Sequence, residues 1–137
     1  MKKIILLFMA LISFVTNAQK QEVTYVNLKT VYDFQTEPSE YKLNHALKNK
    51  MKDLGYEVYF DKDIPQEVKN NPCLEYVANL TEIKSSTTTK LKLEITNCKG
   101  VVVFANVGVS RLKVHKKSYI DAFNKIFEYS NIEVLRK

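Results

Sequence analysis

The chain has 137 residues, with 21 Lys and Arg against 15 Asp and Glu and a formal charge of +6. That length suits one domain, large enough to build a core without a metal or several disulfides. So small a basic surplus falls short of what a nucleic-acid binder carries, which sets nucleic acid aside as a partner.

The N-terminus reads as a secretory signal. Lys2 and Lys3 precede an apolar run from Ile4 to Val15, broken only by Ser13, and Thr16-Asn17-Ala18 closes it ahead of Gln19. A basic start, an apolar core and a small-residue exit are the parts of a signal peptide, here residues 1–18 with cleavage near Ala18–Gln19. The run is shorter than the roughly 20 apolar residues a membrane span needs. No cysteine stands at the cleavage point to take a lipid. The expected product is periplasmic or secreted, with no transmembrane segment after cleavage, and residues 19–137 form a single α+β domain. Losing Lys2 and Lys3 lowers its formal charge to +4.

In chain order, Thr24 to Phe34 is rich in Val, Tyr and Thr and predicts a first strand. Thr36-Glu37-Pro38 opens a helix, with Pro38 in its first turn. Leu43, Ala46, Leu47, Met51 and Leu54 form one apolar stripe at helical spacing. Gly55 follows as the left-handed C-cap, and Tyr56 to Phe60 is a short strand. Asp61 to Pro72 reads as a polar loop with a helical turn around Gln66–Lys69. Leu74, Tyr76, Ala78 and Leu80 alternate with polar neighbours, as do Leu91, Leu93 and Ile95, and Ser85-Ser86-Thr87-Thr88 is the turn between them. Asn97 to Gly100 is a tight turn with glycine at its closing position. Val101 to Val109 reads as a buried strand in which Gly108 marks a bulge. The last helix begins at Ser118, with Asp121 as its capping-box partner, and buries Tyr119, Ala122, Phe123, Ile126 and Phe127. Asn131 to Lys137 is coil or a short edge strand.

The order β-α-β-β-β-β-α predicts a two-layer α+β sandwich: a mostly antiparallel sheet with two helices on one face. A cystatin-like sheet wrapped round the first helix is the alternative.

The mature chain holds two cysteines, Cys73 and Cys98, and an exported protein can bridge them. Placing the two apolar sets of the hairpin on one face with the turn at Ser85-Ser86 sets Leu80 opposite Leu91, Ala78 opposite Leu93 and Tyr76 opposite Ile95. Cys73 then faces Cys98. Two unpaired thiols at the hairpin end are the alternative, and a register slip of two residues is expected to separate the sulfurs.

The other candidate sites are weaker. His45 and His115 are the only histidines, and neither has Cys, Asp or Glu at ligand spacing. Asp61-Lys62-Asp63 lacks the further oxygen ligands and the turn glycine of a calcium loop. No nucleophile elbow and no glycine-rich phosphate loop occurs, so no catalytic residue, cofactor or metal is assigned. Arg111, Lys113, His115, Lys116 and Lys117 form the densest cationic cluster, a candidate contact for an anionic partner or surface.

Gly55 to Asp61, Asn71-Pro72-Cys73-Leu74, Thr89-Lys90-Leu91, Asn97-Cys98-Lys99-Gly100-Val101-Val102 and Tyr119-Ile120-Asp121-Ala122-Phe123 resemble stretches of small exported proteins of Bacteroidetes-type bacteria. The element order is similar to that of the TolB N-terminal envelope module. That resemblance implies an address and an architecture but no activity. Two functional readings follow. One is a non-enzymatic envelope protein that binds or scaffolds a partner through a sheet face or the exposed edge of the meander. The other is a small periplasmic enzyme or enzyme inhibitor with a site built from scattered residues such as Tyr32, Asp33, His45 and Asp61.

Overall fold

A computed structural model describes residues 22–130 and residue 132. The signal-peptide reading of residues 1–18 lies outside them, as does the C-terminal tail except Ile132, whose side chain is buried in the core. Five strands form one sheet: β1 (Tyr25–Leu28), β2 (Glu57–Phe60), β3 (Glu75–Ile83), β4 (Thr89–Thr96) and β5 (Val102–Ser110). Three α-helices accompany them: α1 (Leu43–Asp53), α2 (Gln66–Asn70) and α3 (His115–Phe127). The sheet order is β2-β1-β3-β4-β5. β1 is parallel to both β2 and β3, whereas β3–β4 and β4–β5 are antiparallel and are the longer pairings. The expected α+β sandwich is therefore the observed fold. A β1 flanked by two parallel neighbours sets the cystatin-like alternative aside.

The core lies between one sheet face and the apolar sides of α1 and α3. Leu43, Leu47 and Met51 of α1 join Tyr119, Ala122, Phe123 and Ile126 of α3 over Val26, Leu28, Ala78, Leu80, Leu91, Leu93 and Ile95. α1 ends as its sequence dictates. Gly55 takes φ 88°, its N–H bonds the Lys52 carbonyl at 2.8 Å, and the Tyr56 N–H reaches back to Met51 at 3.1 Å. These are the two reverse bonds that close a helix on a left-handed glycine. α2 is the helical turn expected near Gln66–Lys69, and it buries Val68.

The start of the domain differs from expectation. β1 stops at Leu28 instead of Phe34 because the next residues fold into a turn held from α1. The buried Asn44 side chain donates to the carbonyls of Lys29 at 2.8 Å and Thr30 at 3.0 Å. Asn44 Oδ1 accepts from Gln35 at 2.7 Å, while Gln35 Oε1 accepts from the Tyr32 N–H at 2.8 Å. Two side-chain amides thus satisfy buried backbone groups that a longer strand would have paired in a ladder. α1 begins at Leu43 and not beside Pro38. The intervening residues include Ser39, Tyr41 and Lys42 at φ 54°, 56° and 60°, a left-handed run without any glycine.

The β3–β4 hairpin keeps the expected faces but not the expected register. Leu80 pairs with Leu93 and Ala78 with Ile95, a slip of two residues that preserves the parity of every side chain. The slip does not separate the cysteines. Cys73 lies in a 3-10 turn (Pro72–Leu74) before β3, and Cys98 lies in the turn after β4, so neither obeys the ladder. The Asn71 side chain holds the first turn by accepting from the Cys73 N–H, and the Asn97 side chain holds the second by accepting from Lys99 and Val101. The two sulfurs are joined as a disulfide, with the Cα atoms 4.8 Å apart.

β5 overturns two expectations. It is an edge strand, not a buried one, and its valines point away from the core: Val103, Val107 and Val109 are exposed, while Gly108 and Ser110 are buried. Gly108 is not at a bulge either. It pairs in register with Leu91, and the irregularity falls between Ile95 and Thr96, where Val103 is the extra residue. The glycine is required for another reason. A Cβ on Gly108 would stand 1.8 Å from the Ala122 carbonyl oxygen of α3. The helix backbone sits directly on the strand at Gly108, while Phe104, four residues earlier on the same face, still packs against the core.

Candidate functional site

α3 begins at His115, three residues before the expected start, and Ser118 is inside its first turn. Asp121 does not cap it. Its carboxylate instead pairs with Lys125 at 2.9 Å and is held below the usual carboxylate range by hydrogen bonds from Ser110 and Lys125. No side chain caps the first turn of α3, where the positive end of the helix dipole lies.

The register of the meander decides what surrounds that turn. Thr89 pairs with Ser110, so the β3–β4 loop lies beside the segment leading from β5 into α3. Between them is a cleft of about 400 Å³, lined by the hydroxyl run from Ser85 to Thr89 on one side and by Arg111, Lys113 and His115 on the other. Three members of the cationic cluster are thereby gathered around one space. Lys116 and Lys117 are exposed on α3 and do not line it. The sequence marks Ser85–Thr88 only as a turn. Its place opposite Arg111 follows from a strand register that alternation does not fix.

Hydrogen bonds set the cleft walls. Ser85 Oγ lies 2.9 Å from Thr88 Oγ1 and accepts from the Thr88 N–H at 3.3 Å, which shapes the loop. Ser118 Oγ donates to the His115 carbonyl at 2.7 Å, leaving the Thr89 hydroxyl to donate to Ser118 across 2.8 Å. The Tyr119 hydroxyl donates to Glu82 at 2.7 Å. Burial and the Glu82 carboxylate hold that hydroxyl well above the usual phenol range. Tyr41 stacks on Tyr119 with ring centres 4.4 Å apart, and His115 stands edge-on to both rings. The left-handed backbone at Ser39, Tyr41 and Lys42 accompanies this stack. No sequence signal announces it, because non-glycine residues rarely adopt that conformation. Glu40, near His115, has its carboxyl held below the usual range chiefly by the Thr36 N–H. Among the described residues, Arg111, Lys113 and His115 form no salt bridge, the three pairs being Lys29–Asp33, Lys92–Glu94 and Lys125–Asp121.

The scattered residues considered for an enzyme do not converge here. Tyr32 is buried and donates to the Ala78 carbonyl at 3.1 Å. Asp33 is exposed and 3.5 Å from Lys29, His45 is edge-on to Phe60, and Asp61 accepts from the Thr30 hydroxyl at 2.7 Å. None of the four lines the cleft.

The second surface feature is β5 itself. From Val101 to Ser110 the strand carries no charged residue. The edge strand on the other side, β2, is only four residues long and carries Glu57. On the outer face, Val109 pairs with Lys90 and Val107 with Lys92, so an apolar edge borders the polar outer face of β4.

The fold and these two features define a small α+β module with one open sheet edge and a cationic cleft. The sequence matches no protein-family model and no curated protein. Among solved structures it is similar to a dodecamer of a PelC point variant from Paraburkholderia phytofirmans, at 15% identity over 77% of this chain and 84% of that one, with a TM-score of 0.49.

Proposed function

We propose that this chain is an exported, non-enzymatic protein of the cell envelope that binds or scaffolds a protein partner, working in the periplasm or outside the cell. The contact is strand addition at β5. The observation that carries the reading is a nine-residue edge strand without a charge or a proline. Such an edge offers backbone groups to another strand, here between the irregularity at Val103 and Ser110 and apart from the Val107 N–H, which donates to Asn106 Oδ1 at 2.9 Å. Native proteins otherwise blunt an edge with lysines, prolines, bulges or a short length. The outward valines add apolar area beside that row. The disulfide is compatible with an oxidising compartment. Among the described residues no helix is long and apolar enough to cross a membrane.

The test is affinity capture from the envelope fraction with the wild-type protein and with a Val107→Lys/Val109→Lys variant. Both valines are exposed, so the variant keeps its core, while two lysines place charge along the edge. A partner retained by the wild type and lost from the variant supports strand addition. Identical sets of bound proteins would sink it.

A further inference from the structure

The cleft at the start of α3 has a composition that selects one kind of ligand. Arg111, Lys113 and His115 face it, and the carboxylate in its lining, Glu82, is already engaged by the Tyr119 hydroxyl at 2.7 Å. The opposite wall is a run of hydroxyl side chains, with a single aliphatic residue, Leu112, in the whole lining. Such walls offer little to an apolar molecule and repel a cation. They suit an anion, which would take charge-assisted bonds from the guanidinium and ammonium groups and neutral ones from the hydroxyls. The first turn of α3 has no side-chain cap, and the helix starts at a residue of the cleft lining, His115, so the positive end of its dipole lies beside the space. The gathered cation cluster and the positive helix end thus favour the same charge.

We propose that this cleft binds a phosphate group carried by a small polar molecule or a phospholipid headgroup. Arg111 supplies the forked, bidentate contact and Lys113 the second charge. The Ser85–Thr88 pair, whose mutual bond leaves one hydroxyl proton free, orients a remaining oxygen, while His115 closes the site against the Tyr41–Tyr119 stack. A volume of about 400 Å³ is at the small end of ligand sites, enough for a phosphate with a modest polar substituent. Lys116 and Lys117 lie outside the cleft and contribute only diffuse attraction. This binding goes beyond strand addition at β5 and stands without it.

The test titrates inorganic phosphate into the protein at constant ionic strength, following backbone amide resonances. A parallel arm uses vesicles of phosphatidylcholine alone and of equal parts phosphatidylcholine and phosphatidylglycerol. Saturable shifts confined to 85–89 and 111–119 are expected, weakened at least about tenfold by Arg111→Gln/Lys113→Gln and left intact by Lys116→Gln/Lys117→Gln. All four side chains are exposed, and the amide spectrum away from the cleft reports that each variant is folded. Binding of phosphate identifies a soluble ligand. Binding only of the anionic vesicles, lost in the Arg111/Lys113 variant, identifies a headgroup. Shifts that never saturate, that spread over all lysines, or that respond equally to the two double variants overturn the proposal.

Discussion

Gly108 and Ala122 meet backbone to backbone: a Cβ on the glycine would stand 1.8 Å from the Ala122 carbonyl oxygen and 2.8 Å from the Ile126 nitrogen. Both obstacles are helix backbone, which cannot rotate aside as a side chain can. Gly108→Ala must therefore lift α3 from the sheet and open the core around Phe123 and Ile126. The expected loss is about 3 kcal/mol or more, at the upper end of overpacking effects, read from the urea midpoint. A change below about 0.5 kcal/mol, the range of neutral surface substitutions, would mean that α3 does not sit on β5 this closely. Asn106, which donates to the Ile126 carbonyl at 2.6 Å, fixes the far end of the same contact.

The disulfide closes a separation of 25 residues between two turns that flank the β3–β4 hairpin. Restricting the unfolded chain over that span contributes about 3 kcal/mol by the loop-entropy model. A Cys73→Ser/Cys98→Ser variant is expected to lose about that much stability, with its hairpin register unchanged, because the ladder pairs Val77–Thr96 to Ile83–Lys90 do not involve either cysteine. Chemical denaturation gives the first quantity and cross-strand amide contacts give the second. Loss of the Leu80–Leu93 pairing on reduction would show that the bridge, not the apolar face, sets the register.

Asn44 holds together a turn that local sequence preference does not specify. Its amide serves two carbonyls and its oxygen serves Gln35, all in a buried setting. Asn44→Ala leaves the Lys29 and Thr30 carbonyls and the Gln35 amide without that partner. The expected loss is about 2–3 kcal/mol, since stranding buried polar groups costs more than a hydrogen bond contributes. Asn44→Asp sets a carboxylate against the Lys29 and Thr30 carbonyl oxygens in a buried place and is expected to cost at least as much as alanine. An alanine variant with an unshifted melting temperature would show that the turn is held by other contacts.

What the sequence reveals is what repeats with a period. The α1 stripe, its glycine cap, the alternation in β3 and β4 and the apolar face of α3 all lie where periodicity places them. The fold class follows from their order. The departures share a different cause: each depends on a contact between distant segments. β1 is shorter than its composition predicts because Asn44, in a helix, terminates it. The β3–β4 register departs from expectation because alternation fixes parity and not pairing. The Cys73–Cys98 bridge forms even so, through turns outside the ladder. β5 has the alternating valines of a buried strand, yet the pressure of α3 on Gly108 assigns that alternation to the outside. The cleft is half legible. Arg111, Lys113 and His115 stand out as a charge cluster, whereas the Ser85–Thr89 wall needs the Thr89–Ser110 pairing to bring it opposite.

Tyr32 makes the stability of the fold sensitive to alkali. Its side chain is fully buried, and its hydroxyl donates to the Ala78 carbonyl at 3.1 Å. Burial, with a smaller contribution from the Asp61 charge, raises its pKa well above the usual phenol value of 10.0, against a lowering influence from the backbone at Lys29. The sign follows from proton counting. Below pH 10 both the folded and the unfolded tyrosine keep their proton, and the full stability is present. Above it the unfolded state ionises first, so stability falls as pH rises toward the folded pKa. The slope for one such group is at most about 1.4 kcal/mol per pH unit. Tyr119, raised by burial and by Glu82, acts in the same direction. Tyr32→Phe is expected to cost about 1 kcal/mol near neutral pH through the lost hydrogen bond. It should also flatten the decline of the urea midpoint above pH 10, leaving the part that Tyr119 contributes together with Tyr25 and Tyr41, which burial also raises. If the variant declines as steeply as the wild type, Tyr32 ionises no later in the folded protein than in the unfolded one, and its burial has no energetic consequence for the charged form.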